Sequence, residues 1–352
     1  MDFLLALINY SSSHSESKKA GLRMWNDYVY KAGGLAIHAG CKVYPDISGK
    51  EKLALIIGLS GTGKTSTTFK EQIDSLPVQD DFCALMPGGK VHVSENGCFA
   101  KTYGLRENSE SVIYQALTKP DSWLENVMVS PDGNIDFNDG RISTNGRGTF
   151  ELDNIDHRAP INLPNVDIII FLNRNENILP AVVKLKKEQA AAYFMLGETT
   201  GTSAGGEKEA GKFLRIPGTN PFFCTYDDFQ GNRFYDLLRS LDTVSVYLFN
   251  TGSIGGKENE PGSEKVTLNE SSRILEGIVT DRIRWKEDKY FRYQIADHVP
   301  NIQNEELLNP EQLYSRQNRV NEYEELVKRI VADRKCYLNK FKYLYSNIKE
   351  SI

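Results

Sequence analysis

The sequence lacks the marks of several broad classes. No apolar run approaches the ~20 residues that a membrane-spanning helix needs, and the FLLALI stretch near the N-terminus is short and without a basic flank, so it does not read as a secretory signal. Cysteines are few and odd in number (Cys41, Cys83, Cys98, Cys224 and Cys336), with no CxxC spacing. They read as reduced thiols of a cytoplasmic protein, not as a disulfide framework or a zinc site. Charge of one sign is not in excess: 42 basic residues against 47 acidic give −5, so nothing demands nucleic acid or an anionic membrane as partner. Basic residues near the C-terminus, among them Lys328, Arg329 and Arg334, are interleaved with acidic ones and read as a solvated face. No internal repeat is visible.

What is present is a chain of 352 residues, 40% apolar and 25% charged, enough for a globular protein with a sizeable core. GGLAIHAGCKVY (33–44) and KLALIIG (52–58) read as the strands of a hairpin joined by PDISGKE. TSTTFKEQID reads as a short helix ending near Pro77. KVHVSENGCFAKTYGL alternates around an Asn-Gly turn and predicts a second hairpin. VDIIIFL (166–172) and TVSVYLF (243–249) have the continuous character of buried strands. KLKKEQAAAYFML, YDDFQGNRFYDLLRSL and the periodic segment 319–349 read as helices. Two glycine-rich stretches, 197–212 and 251–264, are long enough for covers over a site, with plain surface loops as the alternative. Strands and helices alternate without a strict βαβ rhythm, which predicts a mixed α/β sheet.

The strongest local signal is Gly58-Leu59-Ser60-Gly61-Thr62-Gly63-Lys64-Thr65, a full GxxxxGK[ST] match between an apolar strand and a helix-competent segment. A random chain of this length would match on the order of once in a hundred, so the context decides in favour of a phosphate loop. Glycines let the backbone curl so that successive N–H groups face phosphate oxygens. Lys64 has the reach for the β- and γ-phosphates, the Thr65 hydroxyl is a ligand for Mg²⁺, and Ser60 is placed to bond a γ-phosphate oxygen. The expected ligand is a nucleoside triphosphate.

The residues around this loop resemble ATP-dependent phosphoenolpyruvate carboxykinase. LIIGLSGTGKTS is similar to that family's phosphate-loop segment, and Asp80-Asp81 stands where it has its acidic pair. ENGCFAKT (95–102), LENVMVSPDGNIDF (124–137), STNGR (143–147), FNTGSIGG (249–256) and EKVTLNESSRILEGI (264–278) resemble further family segments in the same order. The likeness runs from about residue 17 onward. It implies a mixed-sheet P-loop domain over 17–285, after an extension over 1–16 and before a tail over 286–352 that ends in a long helix packed on the domain. It also implies a transition-metal site, usually Mn²⁺, at Lys19, His38 and Asp81, in which lysine donates as the neutral amine. Lys101 and Arg147 match contacts to the transferred phosphoryl group and substrate, Asp80 belongs to the catalytic set, and Lys265 and Ser271 match nucleotide contacts.

The departures matter too. Lys265 and Ser271 stand where the family has Arg and Thr, and Phe82-Cys83-Ala84 stands where it has Glu-His-Gly. Full-length members carry a large N-terminal domain ahead of the Lys18-Lys19 segment, and its absence here would leave the organic-acid half of the site altered or to be supplied by a partner chain. The resemblance therefore implies ATP- and metal-dependent phosphoryl transfer, with oxaloacetate, ATP, phosphoenolpyruvate, ADP and CO₂ as the family's reaction set. A shortened relative acting on another small-molecule or protein acceptor, and a nucleotide-binding regulator without turnover, remain the alternatives.

Overall fold

Runs of β-branched and aromatic residues become strands where neighbouring strands bury them. The computed structural model describes residues 15–45, 49–59, 61–201 and 211–352. Its main strands are β1 (Leu35–Pro45), β2 (Glu51–Gly58), β3 (Leu76–Gln79), β4 (Phe82–Leu85), β5 (Val91–Val93), β6 (Gly97–Lys101), β7 (Trp123–Glu125), β8 (Arg147–Glu151), β9 (Val166–Asn173), β10 (Val182–Leu185), β11 (Ser245–Asn250), β12 (Arg284–Glu287) and β13 (Gln294–His298). The helices are α1 (Ser15–Lys31), α2 (Lys64–Phe69), α3 (Ser111–Leu117), α4 (Lys187–Leu196), α5 (Asp227–Arg239), α6 (Leu268–Val279), α7 (Pro310–Arg316), α8 (Val320–Leu338) and α9 (Ser346–Lys349).

A large sheet runs in the order β12-β13-β10-β11-β9-β2-β1-β4-β5, with β3 also paired to β1. Its centre is parallel, β2 and β11 flanking β9, and the pairings outward from β2 and β11 are antiparallel. The sheet is mixed, as the irregular alternation of elements predicts. Along β2 and β9 side chains divide between two cores. Leu53, Leu55, Ile57, Ile169 and Phe171 pack with α4, α5 and α8, while Ala54, Ile56, Ile168 and Ile170 pack with α6. Burying each of the larger ones contributes roughly 1.5–3 kcal/mol, so the parallel centre is the rigid part. All three parallel strands end at one edge, at Gly58, Asn173 and Asn250. That is where ligands bind in open α/β sheets.

Three expectations are corrected. Segment 90–105 is not a hairpin: β5 pairs with β4, whereas β6 leaves for a separate three-stranded sheet, β6-β8-β7. Gly97 explains the crossing, because a Cβ there would meet the Phe150 carbonyl oxygen at 2.8 Å, so this glycine serves the close approach of β8 instead of a local turn. The helix after the phosphate loop has six residues only, since Thr65, Thr67 and Thr68 are β-branched and poor helix formers. The segment 319–349 breaks after Leu338 because α5 side chains take its backbone: Tyr343 N–H donates to Asp228 (2.7 Å) and Tyr345 N–H to Asn232 (3.0 Å).

Cys41, Cys83 and Cys98 are buried free thiols, and Cys224 and Cys336 are exposed ones. Among the described residues no helix is long and apolar enough to cross a membrane.

Candidate active site

The loop after β2 curls back on itself. Thr62 donates through both N–H (3.2 Å) and Oγ1 (2.8 Å) to the Leu59 carbonyl. Gly61 and Gly63 have φ of 85° and 94°, values that side-chain-bearing residues avoid. Gly58 is required for another reason: a Cβ would lie 2.3 Å from Thr62 Oγ1. Ser60 lies outside the described residues.

The first turn of α2 places Lys64 and Thr65 on Asp80. Lys64 Nζ is 2.7 Å from Asp80 Oδ1, and Thr65 Oγ1 donates to Asp80 Oδ2 at 2.7 Å. Burial opposes the Lys64 charge, but Asp80 and Asp81 outweigh it and raise its pKa. Asp81, at a φ of 119°, turns its carboxylate the other way. His38 Nε2 is 2.9 Å from Asp81 Oδ1, and Lys18 Nζ is 2.6 Å from Asp81 Oδ2 and 2.9 Å from Glu95 Oε1. Burial works against the Asp81 charge, yet the hydrogen bond from His38 and the charges of Lys64 and Lys18 hold its pKa well below the carboxylate range. Glu95, buried beside Lys18, is pushed up to about 7.

This cluster fits a divalent cation. His38 Nδ1 lies 3.2 Å from the Thr219 carbonyl, which can only accept, so Nδ1 donates there and Nε2 is left to face Asp81. Two electron-pair donors facing each other at that distance need a proton or a cation between them. Among the described residues no three His, Cys, Asp or Glu side chains gather as a metal site; the other group in contact with Asp81 is a lysine amine. The structure brings Lys18, not Lys19, to Asp81; Lys19 lines the same cavity from an exposed position. Neighbours on a helix point ~100° apart, and nothing in a Lys-Lys pair tells which one faces inward.

Lys101 and Arg147 arrive on the small sheet. Its register sets Arg147 opposite both Lys101 and Glu125. Burial and the neighbouring guanidinium lower the Lys101 pKa; burial also lowers that of Arg147, against the pull of Glu125. Both line a cavity of about 970 Å³ with Lys18, His38, Asp80, Asp81 and the loop residues Gly61, Gly63 and Lys64. A second cavity of about 500 Å³ opens on the other side of the loop and holds Lys265, Ser271, Arg174, Phe249 and Thr251. The two share Gly61, Gly63, Ser66, Glu110 and Ile113.

A profile of the family described as phosphoenolpyruvate carboxykinase matches residues 4–305. The chain belongs to the phosphoenolpyruvate carboxykinase family. It is 32% identical over 320 residues to a protein of Aeropyrum pernix named phosphoenolpyruvate carboxykinase (ATP), covering 88% of this chain and 62% of that protein. Proteins of the same name from Bradyrhizobium diazoefficiens and Sulfurimonas denitrificans are each 31% identical, with 56% and 58% of their lengths covered. The chain thus spans about three fifths of the length of these carboxykinases.

Several residues of this carboxykinase-family site escaped sequence reasoning. Glu95 partners Lys18; Glu110 accepts from Ser66 Oγ at 2.5 Å; Glu258 holds Lys265 (2.5 Å) and Arg174 (3.3 Å). Asn220 ties α1 to β1 by donating to Asn26 Oδ1 and the Ala36 carbonyl. Apart from Glu258–Lys265, seven residues apart, each contact spans a long sequence separation, and no local spacing marks it.

Proposed function

We propose that this chain carries out ATP- and divalent-metal-dependent phosphoryl transfer of the carboxykinase type, converting oxaloacetate and ATP to phosphoenolpyruvate, ADP and CO₂. The observation that supports it is the continuity of the two cavities across the phosphate loop, with a cation pair on one side and a nucleoside-sized pocket on the other.

In this reading the nucleoside lies in the smaller cavity near Lys265 and Ser271, and its phosphates cross the loop at Gly61–Gly63. Lys64 leaves Asp80 for the β- and γ-phosphates. Thr65 and Asp80 would hold the Mg²⁺ that travels with the nucleotide, and His38, Asp81 and Lys18 the second cation, of the Mn²⁺ type. A cation so held supplies Lewis-acid stabilisation of the acceptor oxygen. Lys101 and Arg147 neutralise charge on the moving phosphoryl group and on the acceptor. Lys18 must lose its proton to act as a ligand, and Glu95 lies beside it to share that proton.

Purified protein with ATP, Mg²⁺ and Mn²⁺ should form ADP and phosphoenolpyruvate only when oxaloacetate is present. ATP binding without any oxaloacetate-dependent ADP would remove the carboxykinase reaction. A second acceptor class is favoured by one feature: Leu22, Phe99, Pro221 and Phe222 line the acceptor side of the cavity. An acid with an apolar portion would pack there, and screening such acids for γ-phosphate transfer separates the two readings.

A further inference from the structure

One fully buried cation lies outside both cavities. Lys42 is 0% exposed in β1, and its Nζ donates to the carbonyls of Thr67 (3.2 Å) and Lys70. Those carbonyls belong to the last turn of α2 and the residue that caps it. Among the described residues no carboxylate pairs with Lys42. Burial is the main opponent of its charge, Lys70 adds repulsion, Glu71 gives partial support, and the Tyr44 ring lies 5.5 Å from Nζ.

The alternation of β1 gives this contact its meaning. Odd positions from Leu35 to Val43 face the larger core. The even positions face the site and α2: His38 meets Asp81, Gly40 lies against Thr68, and Lys42 reaches the end of α2. A Cβ at Gly40 would be 2.0 Å from Thr68 Oγ1, so the helix lies flush on the strand there. One strand therefore carries the histidine of the metal cluster and, four residues on, the clamp on the helix that begins with Lys64 and Thr65.

We propose that Lys42 is a positioning residue for phosphoryl transfer, clamping the phosphate-loop helix to the strand that carries His38 and so fixing the spacing between the triphosphate and metal halves of the site. The inference rests on the functional reading above. An ammonium offers three donors to the carbonyls and complements the negative end of the helix; a neutral amine offers two and no charge. Burial moves this change to about pH 7, so the clamp loosens as pH rises through neutrality.

The test is ATP binding by calorimetry, with kcat and KM for ATP, from pH 6 to 9 in wild type, Lys42→Met and Lys42→Arg. Wild type should bind ATP about fivefold more tightly than Lys42→Met at pH 6, and the difference should vanish by pH 9. Lys42→Arg should keep the tighter binding throughout. ATP affinities of wild type and Lys42→Met that run parallel at every pH overturn the proposal, whatever the melting temperatures. Should Lys42→Met fail to fold, wild type labelled at lysine Cε decides: a resonance that titrates near neutrality and moves on adding ATP supports the clamp, and the absence of one overturns it. Wild type with no ATP affinity would instead overturn the nucleotide reading, and the clamp with it.

Discussion

Asp80 is the hinge of the site at the level of single residues. It accepts from both Lys64 and Thr65, which fixes the orientation of the two groups proposed to meet phosphate and Mg²⁺. Removing Lys64 leaves a buried carboxylate without its main cation. Lys64→Ala should lower kcat for ATP consumption by about 10²–10³-fold, read as ADP formed per enzyme. A residual rate within tenfold of wild type would mean that Lys64 does not meet the phosphates. The two lysines of α1 separate by the same logic. Lys18 touches Asp81 and Glu95, and Lys19 neither. Lys18→Met should raise the Mn²⁺ concentration for half-maximal activity by about 10–100-fold, and Lys19→Met by much less. The reverse order would return the ligand role to Lys19, as the family spacing suggests.

The elements differ in how far their own residues encode them. β2 and β9 were legible because continuous apolar runs bounded by turn residues have little else to become. The phosphate loop was legible because its glycines, lysine and threonine are close in sequence. Strand partners were not: Asn96-Gly97 has the look of a hairpin turn, yet Gly97 answers to Phe150 fifty residues away. The end of α8 is likewise set by Asp228 and Asn232 on α5. In the site, Asp80, Asp81 and His38 could be named from the family order, whereas Glu95, Asn220 and Glu258 act only through the fold. Lys42 belongs to this scale because its burial sets a pH dependence for the β1–α2 unit. Burial lowers its pKa from 10.5, the value of an exposed lysine, to about 7 in the folded chain. Below pH 7 both states hold the proton and the burial penalty is complete. Between pH 7 and 10.5 the unfolded chain holds more protons, so stability rises with pH. The unfolding free energy of wild type, measured by urea titration, should therefore climb relative to Lys42→Met over pH 7–10, by an amount on the order of a few kcal/mol. A constant difference would show that Lys42 does not titrate in this window.

Across the whole molecule a buried ionic knot ties α8 to the end of α4. Arg334 of α8 pairs with Glu198 where the chain leaves α4, both side chains being 4% exposed, and Arg334 Nη1 also donates to Tyr193 Oη at 2.9 Å. Burial opposes the guanidinium charge, but Glu198 and Tyr193 outweigh it and raise its pKa. Arg215 completes the knot from the short strand Phe213–Arg215, which pairs antiparallel with Glu198–Thr200; its guanidinium is 3.1 Å from Glu198 and 2.7 Å from Asp333. Breaking a buried pair strands a charge, whereas replacing both members with apolar side chains strands neither. Arg334→Met alone should therefore cost about 3–5 kcal/mol of unfolding free energy, and Glu198→Met alone a similar amount. The double variant should recover at least half of the larger loss, because Asp333 still neutralises Arg215. ATP affinity should stay within about twofold in any variant that folds, since none of these residues lines either cavity. Additive losses in the double variant would show that packing of α8 on α4, and not the ion pair, holds the C-terminal region in place.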